Sequence, residues 1–214
     1  MASNNLSEPF FAAVENRRSY YGIKKESPIS DAELEAIVKR SVKHAPTSFN
    51  MQQSRAVLLT GKHHEQLWDK IIEISDKHTK DEKAKVAGRG KIEGCFKAGY
   101  GTVVFFEDQE VVKQWGQNMP DYAEGFKIWS EDASAILQYI VWTALEANGL
   151  GATLQHYATI FEDAQAAATE TFGLPSTWKC TAMMPFGTPA GPPGNPGHPK
   201  EFAPLDDRVK TFLG

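Results

Sequence analysis

Between Ser130 and Asn148 the chain sets Ala133, Ile136, Leu137, Ile140, Val141, Ala144 and Leu145 at helical spacing, and Gly149 stops the pattern. An apolar stripe that wide has to be covered on several sides, so this stretch is predicted to be the central core helix. The rest of the chain must supply elements to pack around it. Two buried strands are predicted from apolar runs, Arg55 to Thr60 ended by Gly61 and Thr102 to Phe106, and a third from Trp178 to Met184. Helical spacing recurs from Glu8 to Asn16, where Phe10, Phe11 and Val14 share one side, and from Lys62 to His78, where Leu67, Trp68, Ile71, Ile72 and Ile74 do. Ser30-Asp31-Ala32-Glu33 reads as a capping box, followed by Leu34, Ile37, Val38 and Val42 until Pro46 ends the helix. A further helix runs from Asp163 to Phe172 and stops at Gly173.

Other stretches resist regular structure. Lys80 to Lys91 is charged and ends in Gly88-Arg89-Gly90, which predicts an exposed connection or a frayed helix. Asp108 to Trp129 mixes Trp115, Met119, Tyr122, Phe126 and Trp129 with Gly116, Pro120 and Gly125, the pattern of short helices or an aromatic lid. Pro185 to Pro199 holds six prolines and four glycines in 15 residues and is predicted to be an extended loop. No internal repeat and no break in composition divides the 214 residues, so a single domain over 1–214 is expected, with the loop 185–199 inside it.

Charge and cysteine usage exclude several classes. Lys and Arg number 23 against 27 Asp and Glu, a net charge of −4 that argues against nucleic acid or an anionic membrane as partner. Cys95 and Cys180 are too far apart in sequence for CxxC chemistry, and both read as buried thiols in a reducing compartment. The N-terminus has no basic segment before its short apolar stretch, and no apolar run approaches the roughly 18 residues a membrane span needs. A cytosolic protein is expected, with the nucleus left open.

The common catalytic motifs fail. Gly88-Arg89-Gly90-Lys91 is followed by Ile92 where a phosphate loop needs Ser or Thr, and Gly149-Leu150-Gly151 has Leu154 where a dinucleotide fingerprint needs its third glycine. GxSxG is absent and His63-His64 has no HExxH partner, so both histidines read as solvated. No metal site is predicted. Three segments remain. Arg17, Arg18 and Ser19 offer forked guanidinium donors and a hydroxyl suited to a terminal phosphate, although two solvated arginines would have the same spacing. Pro46 to Gln52 clusters the hydroxyls and amides of Thr47, Ser48, Asn50 and Gln52 at a turn, which an ordinary polar turn would also do. Gly149 to Tyr157 joins a flexible turn to Gln155, His156 and Tyr157, where backbone amides can face a ring system or simply cap the helix before them.

In this order the segments resemble the FMN-dependent nitroreductase family, and in particular its compact branch in fungi and some bacteria. The resemblance is carried by Arg17-Arg18-Ser19, by Ala45 to Gln52, by Phe96 to Asp108 and by Leu154-Gln155-His156-Tyr157. It implies an α+β fold, a mixed sheet sandwiched by helices, in a homodimer whose two FMN sites lie at the subunit interface. By position, Arg17, Arg18 and Ser19 would hold the FMN phosphate, with Lys200 arriving through the Pro-rich loop. Thr47, Ser48 and Asn50 would reach the flavin held mainly by the other subunit, and Gln155, His156 and Tyr157 would lie against its ring. Tyr21 falls where many members place a ring-contacting Lys or Arg. Gln53-Ser54 replaces a common Pro-Trp, and Phe202 replaces a basic residue often found two positions after Lys200. The implied activity is electron transfer from NADH or NADPH through FMN to a nitroaromatic or quinone-like acceptor by a ping-pong route, with no dedicated catalytic acid or base. The alternative of another class is a regulatory protein of stress or lipid responses that keeps the fold and uses the pocket without catalysis. Retention of Arg17-Arg18-Ser19 and Lys200 favours the enzyme.

Overall fold

The computed structural model describes residues 6–195, 197 and 199–214. The helices are α1 (Glu8–Asn16), α2 (Asp31–His44), α3 (Gly61–His78), α4 (Glu82–Ile92), α5 (Gln109–Asn118), α6 (Ala123–Ala147), α7 (Tyr157–Ile160) and α8 (Glu162–Glu170). The strands are β1 (Ile23–Lys24), β2 (Ser54–Thr60), β3 (Gly101–Asp108), β4 (Gly151–Ala152) and β5 (Trp178–Pro189). They form one sheet in the order β1-β5-β3-β2, with β4 also on β5. All four ladders are antiparallel, and the parallel pairing described within the expected mixed sheet is the bridge between Ser19 and Ala152.

Side chains alternate across β3 and so feed two cores. Val103 and Phe105 join Ala182, Met184 and Phe186 of β5 under α2 and α6, where Leu34, Val38, Leu137, Val141 and Leu145 are buried. Val104 and Phe106 join Cys180 and Met183 on the opposite face, under Leu67, Trp68 and Ile71 of α3, Ile92 of α4 and Ala164 and Ala168 of α8. A register shift opposite Phe105 and Phe106 skips Thr181, which is why Cys180 faces the second core although Ala182 faces the first. The sheet is therefore sandwiched by helices, as expected.

Where the elements differ from the sequence reading, packing accounts for it. The helix predicted from Ser130 begins at Ala123 and runs 25 residues, with Gly125 inside it, where the Trp129 indole fills the space a side chain would need, 2.8 Å from the Cβ position. The segment before it is a helix, α5, joined to α6 by a short turn. Lys80 to Lys91 is not a loose connection: Asp81 caps α4 by accepting the Ala84 N–H, and fully buried Ile92 anchors its end. Five residues of the Pro-rich segment, Pro185 to Pro189, extend β5, held by pairing with β1, β3 and β4. Conversely α1 forms as predicted yet buries none of its residues, leaving Phe10 and Phe11 exposed. The capping box at Ser30 is complete, with both reciprocal bonds to Glu33. Cys180 is buried and its thiol is pushed up to about 12 by burial, so it stays protonated; Cys95, expected to be buried, is half-exposed.

His64 corrects the reading of the histidine pair, since it is fully buried. Trp68 Nε1 donates to Thr102 Oγ1 at 2.9 Å, which leaves the Thr102 proton for His64 Nδ1 at 2.8 Å and the His64 Nε2–H for the Lys97 carbonyl at 3.1 Å. The ring is thus neutral, and burial holds its pKa below 6.5. Between that depressed value and 6.5 the unfolded chain binds more protons than the folded one, so stability falls as pH drops through this window. The melting-temperature gap between wild type and His64→Gln is expected to be wide at pH 8 and to narrow toward pH 5. A gap of constant width would show that His64 does not fold as the neutral ring.

Candidate functional site

At the exit of α1 the chain turns onto the sheet. The Arg17 guanidinium carbon lies 4.4 Å from the Trp142 ring centroid and 6.0 Å from that of Tyr139, a cation–π perch on α6. The Arg18 N–H donates to Glu146 Oε2 at 2.6 Å. Burial pushes the Glu146 carboxyl up, against the opposing pull of that bond and of the two guanidinium groups. Ser19 bridges to Ala152, and Tyr20 N–H donates to the Ala152 carbonyl at 2.9 Å, so the arginine motif is tied to β4. Gly151 has to be glycine here, because a Cβ would sit 2.7 Å from Tyr20 Cγ.

The Pro/Gly-rich segment returns to the same place. Gly194 N–H donates to the Ser19 carbonyl at 2.7 Å, and Gly194 adopts a left-handed backbone with φ +86°. A Cβ on Gly194 would meet Arg18 Nη2 at 3.5 Å, an ordinary contact, so it is the left-handed backbone rather than lack of room that asks for glycine beside the guanidinium. Lys200 lies further along, exposed, its Nζ 4.9 Å from the Phe202 ring, and makes no ion pair among the described residues.

On the other side of β4, Gln155 exchanges both backbone hydrogen bonds with Met183 at 2.8 Å, and its side chain donates to Thr153 Oγ1 at 3.2 Å. His156 is exposed, and its carbonyl accepts from Thr159. Tyr157 packs edge-on to Trp68 and Phe96 at 6.1 and 6.2 Å, and burial raises its phenol pKa. Tyr21 packs against the same core. Arg17, Arg18, Ser19, Tyr21, Gln155, His156 and Tyr157 are thereby gathered around β4 and the adjoining length of β5, with a phosphate-type donor set at one end and an aromatic wall at the other.

Thr47, Ser48 and Asn50 lie elsewhere. Their turn closes through Asn50 N–H to the Thr47 carbonyl at 2.9 Å and Gln52 N–H to Thr47 Oγ1 at 3.1 Å. Phe49, Asn50 and Gln52 all take left-handed φ, from 53° to 56°, which for non-glycine residues stores about 1–3 kcal/mol each. Phe49 is held against Trp115, Tyr122, Phe126 and Trp129 at 5.6 to 6.3 Å, and Arg55 Nη1 clamps the Gln52 carbonyl at 2.7 Å. Those rings belong to α5, the short turn after it and the start of α6, whereas Arg17 sits over Tyr139 and Trp142. At a rise of about 1.5 Å per residue, the separation along α6 is about 20 Å. One chain does not bring the two sets together.

Sequence reasoning missed a buried polar group beneath that turn. Glu107, the last but one residue of β3, is 1% exposed and accepts from Ser54 Oγ at 2.9 Å and from Ser130 Oγ. Burial raises its pKa, although the two hydroxyls favour the charged form. The fully buried Gln53 amide lies beside it and also favours the charged form. The signal was an acidic residue closing the run TVVFFE. No group of three or more His, Cys, Asp or Glu arranged for a metal ion occurs among the described residues, and no helix among them is long and apolar enough to cross a membrane.

A five-stranded sheet between two helical layers, with an arginine-serine segment returning to it beside a glycine-bearing loop, is the nitroreductase-like α+β fold. The chain belongs to the nitroreductase family, whose model (Nitroreductase family) matches residues 14–188. It is similar to HBN1 of Saccharomyces cerevisiae, 34% identical over 180 residues that span 83% of this chain and 86% of that protein. It is similar also to the nitroreductase FRM2 of the same yeast, 31% identical over 86% of this chain and 90% of that one. Among solved structures, the nitroreductase CinD from Lactococcus lactis, in complex with nicotinic acid, superposes with a TM-score of 0.82 at 36% identity, covering 95% of this chain and 100% of its own. CinD has also been solved with chloramphenicol and with 4-nitrophenol. Family membership makes the chain an oxidoreductase.

Proposed function

We propose that the protein is an FMN-dependent oxidoreductase that takes electrons from NADH or NADPH and delivers them to nitroaromatic or quinone-like acceptors. The observation that carries this reading is the convergence of Arg17, Arg18 and Ser19, the Gly194 loop and the Gln155–Tyr157 segment around β4. Two guanidinium groups and a hydroxyl, with the Gly194 loop brought beside them, fit a phosphate monoester, and the aromatic side chains beyond β4 fit a planar ring. The chemistry FMN supplies when bound is acceptance of hydride from the nicotinamide and onward transfer of electrons, a ping-pong sequence. The chain's own part is to hold the phosphate end through Arg17, Arg18 and Ser19, with Lys200 reaching it through the loop. Gln155, His156 and Tyr157 would orient the ring. No side chain is assigned as acid or base. The nitro compounds bound by CinD support a nitroaromatic acceptor.

The working unit we infer is a homodimer. Thr47, Ser48 and Asn50 are about 20 Å along α6 from the arginines, so they serve a flavin site only if it is the one on a second copy. Apolar surface is available for that contact: Phe202, Leu205, Val209, Phe212 and Leu213 of the C-terminal tail are exposed, as are Phe10 and Phe11 of α1. The aromatic cluster from Trp115 to Trp129 is the candidate cover over the acceptor, and the compartment is the cytosol, with the nucleus also open to it.

One experiment tests cofactor, chemistry and assembly. Protein supplied with FMN and desalted is expected to keep a flavin spectrum, to bleach on anaerobic addition of NADH or NADPH, and to recover colour with 4-nitrophenol or a quinone. Light scattering of the loaded protein is expected at twice the 23.7 kDa of one chain. Colourless protein overturns the cofactor; flavin that neither nucleotide reduces overturns the reductase; a monomer overturns the shared site.

A further inference from the structure

A turn with left-handed backbone at Phe49, Asn50 and Gln52 persists only where its surroundings hold it, since none of these residues is glycine. Inside the turn, Asn50 and Met51 donate their N–H groups to the Thr47 and Ser48 carbonyls at 2.9 and 3.0 Å, and Gln52 donates to Thr47 Oγ1. The outer hold converges on one buried carboxylate. Toward the turn, Glu107 pairs with Ser54 across the β2–β3 ladder and accepts from Ser54 Oγ at 2.9 Å, and the Gln53 amide supports its charge from beside it. The next residue, Asp108, donates its N–H to the Gln53 carbonyl at 3.0 Å and accepts from Arg55 Nη2 at 3.0 Å, while Arg55 Nη1 clamps the Gln52 carbonyl. Toward α6, Glu107 accepts from Ser130 Oγ. Ser130 directly follows Trp129 and stands one turn after Phe126, two of the rings that pack Phe49. The turn is thus fixed to α6 through Phe49 and to the sheet through Gln53 and Ser54, and Glu107 joins the two attachments. A carboxylate this deeply buried keeps its place only where donors converge on it, so its partners are fixed as firmly as it is.

We propose that Glu107 is a positioning residue: by tying Ser54 of β2 to Ser130 of α6 it holds Thr47, Ser48 and Asn50 in the geometry in which they meet the flavin of a second copy. Its bearing on the flavin rests on the FMN and homodimer readings above, whereas its hold on the turn belongs to the single chain. Glu107→Gln keeps the shape and replaces charge-assisted bonds with neutral ones roughly half as strong. Ser130→Ala removes the bond to α6 alone, and carries both readings below should the glutamine variant not fold.

The first reading is amide hydrogen exchange in the protein without cofactor. Both variants are expected to exchange the Asn50, Met51 and Gln52 amides roughly three- to tenfold faster than wild type, the size of one weakened hydrogen bond. The Tyr20 and Gln155 amides, bonded to the Ala152 and Met183 carbonyls, are expected to exchange as in wild type. Acceleration at all of these amides alike, or at none, overturns the proposal. The second reading is the FMN dissociation constant. Glu107→Gln is expected to raise it by the same roughly three- to tenfold in the wild-type background, and by less than about twofold once Ser48→Ala and Asn50→Gly have removed the side chains it positions. Glycine is the choice at 50 because it keeps the left-handed backbone. An equal loss in both backgrounds would show that Glu107 supports the whole fold rather than the turn, and overturns its positioning role. If wild type binds no FMN, the cofactor reading falls and the role toward flavin with it, while a selective change in exchange would still establish the hold on the turn.

Discussion

Arg17→Ala is expected to weaken FMN binding by roughly 10- to 100-fold, the loss of one or two charge-assisted hydrogen bonds worth about 1.5–3 kcal/mol in all. The guanidinium is already oriented in the free chain, stacked 4.4 Å over Trp142, so little rotamer freedom remains to be lost when a phosphate arrives. Removing it also forfeits the cation–π contact, about 0.5–1 kcal/mol of folding stability. For a chain of this length that lowers the melting temperature by only about 1–4 °C. The two effects separate cleanly: titration of apoprotein with FMN reads the first and a thermal melt without cofactor reads the second. Arg17→Lys keeps the charge and loses the fork, and is expected to fall between alanine and wild type. Wild-type affinity in Arg17→Ala would remove Arg17 from the phosphate site and leave Arg18 and Ser19 to hold it.

The arginine motif, the capping box at Ser30 and the buried run of β3 were all legible because each is a local pattern: a charge pair, a reciprocal cap, an unbroken apolar string. His64 was legible too, since it stands three and four residues before Leu67 and Trp68 and so shares their helical face; the neighbouring His63 and the charged flanks pointed the other way. What could not be read was anything fixed by a distant partner. Gly125 looks like a helix breaker until Trp129 is seen filling its space. Pro185 and Pro189 look incompatible with a strand until Thr102 and Ile23 are seen pairing with them. The separation of Thr47–Asn50 from Arg17 is a property of α6 as a rigid spacer, and α6 was expected to start seven residues late. The resemblance had already divided these residues between two subunits, and the length of α6 supplies the physical reason why one chain cannot unite them.

Gly187→Ala is expected to be among the most damaging small changes the chain can take. Gly187 pairs with Gly151 across the β4–β5 ladder, and the next residue, Thr188, pairs with Lys24 of β1. A Cβ on Gly187 would lie 2.1 Å from the Lys24 carbonyl oxygen and 3.1 Å from the Tyr100 amide nitrogen. Both obstacles are backbone, so no side chain can swing aside. Tyr100 is fixed by its own N–H bond to the Phe186 carbonyl at 2.8 Å, which leaves β1 as the part that must move. Moving it strains the bonds from Ala190 to Gly22 and from Thr188 to Glu26. Overpacking of this kind costs about 3 kcal/mol, which for a chain of this length lowers the melting temperature by about 6–12 °C. The consequence reaches the site, because Ser19 and Tyr21 stand immediately before β1 on the same short segment. Retained FMN affinity should therefore fall even at temperatures where the variant is folded. Gly191→Ala is the control, since a Cβ there meets nothing within 4 Å, and it is expected to melt with wild type. A Gly187→Ala protein that also melts with wild type would mean that β1 is not seated against β5 in solution, and that the segment from Ser19 to Tyr21 is positioned through Ala152 and Gly194 instead.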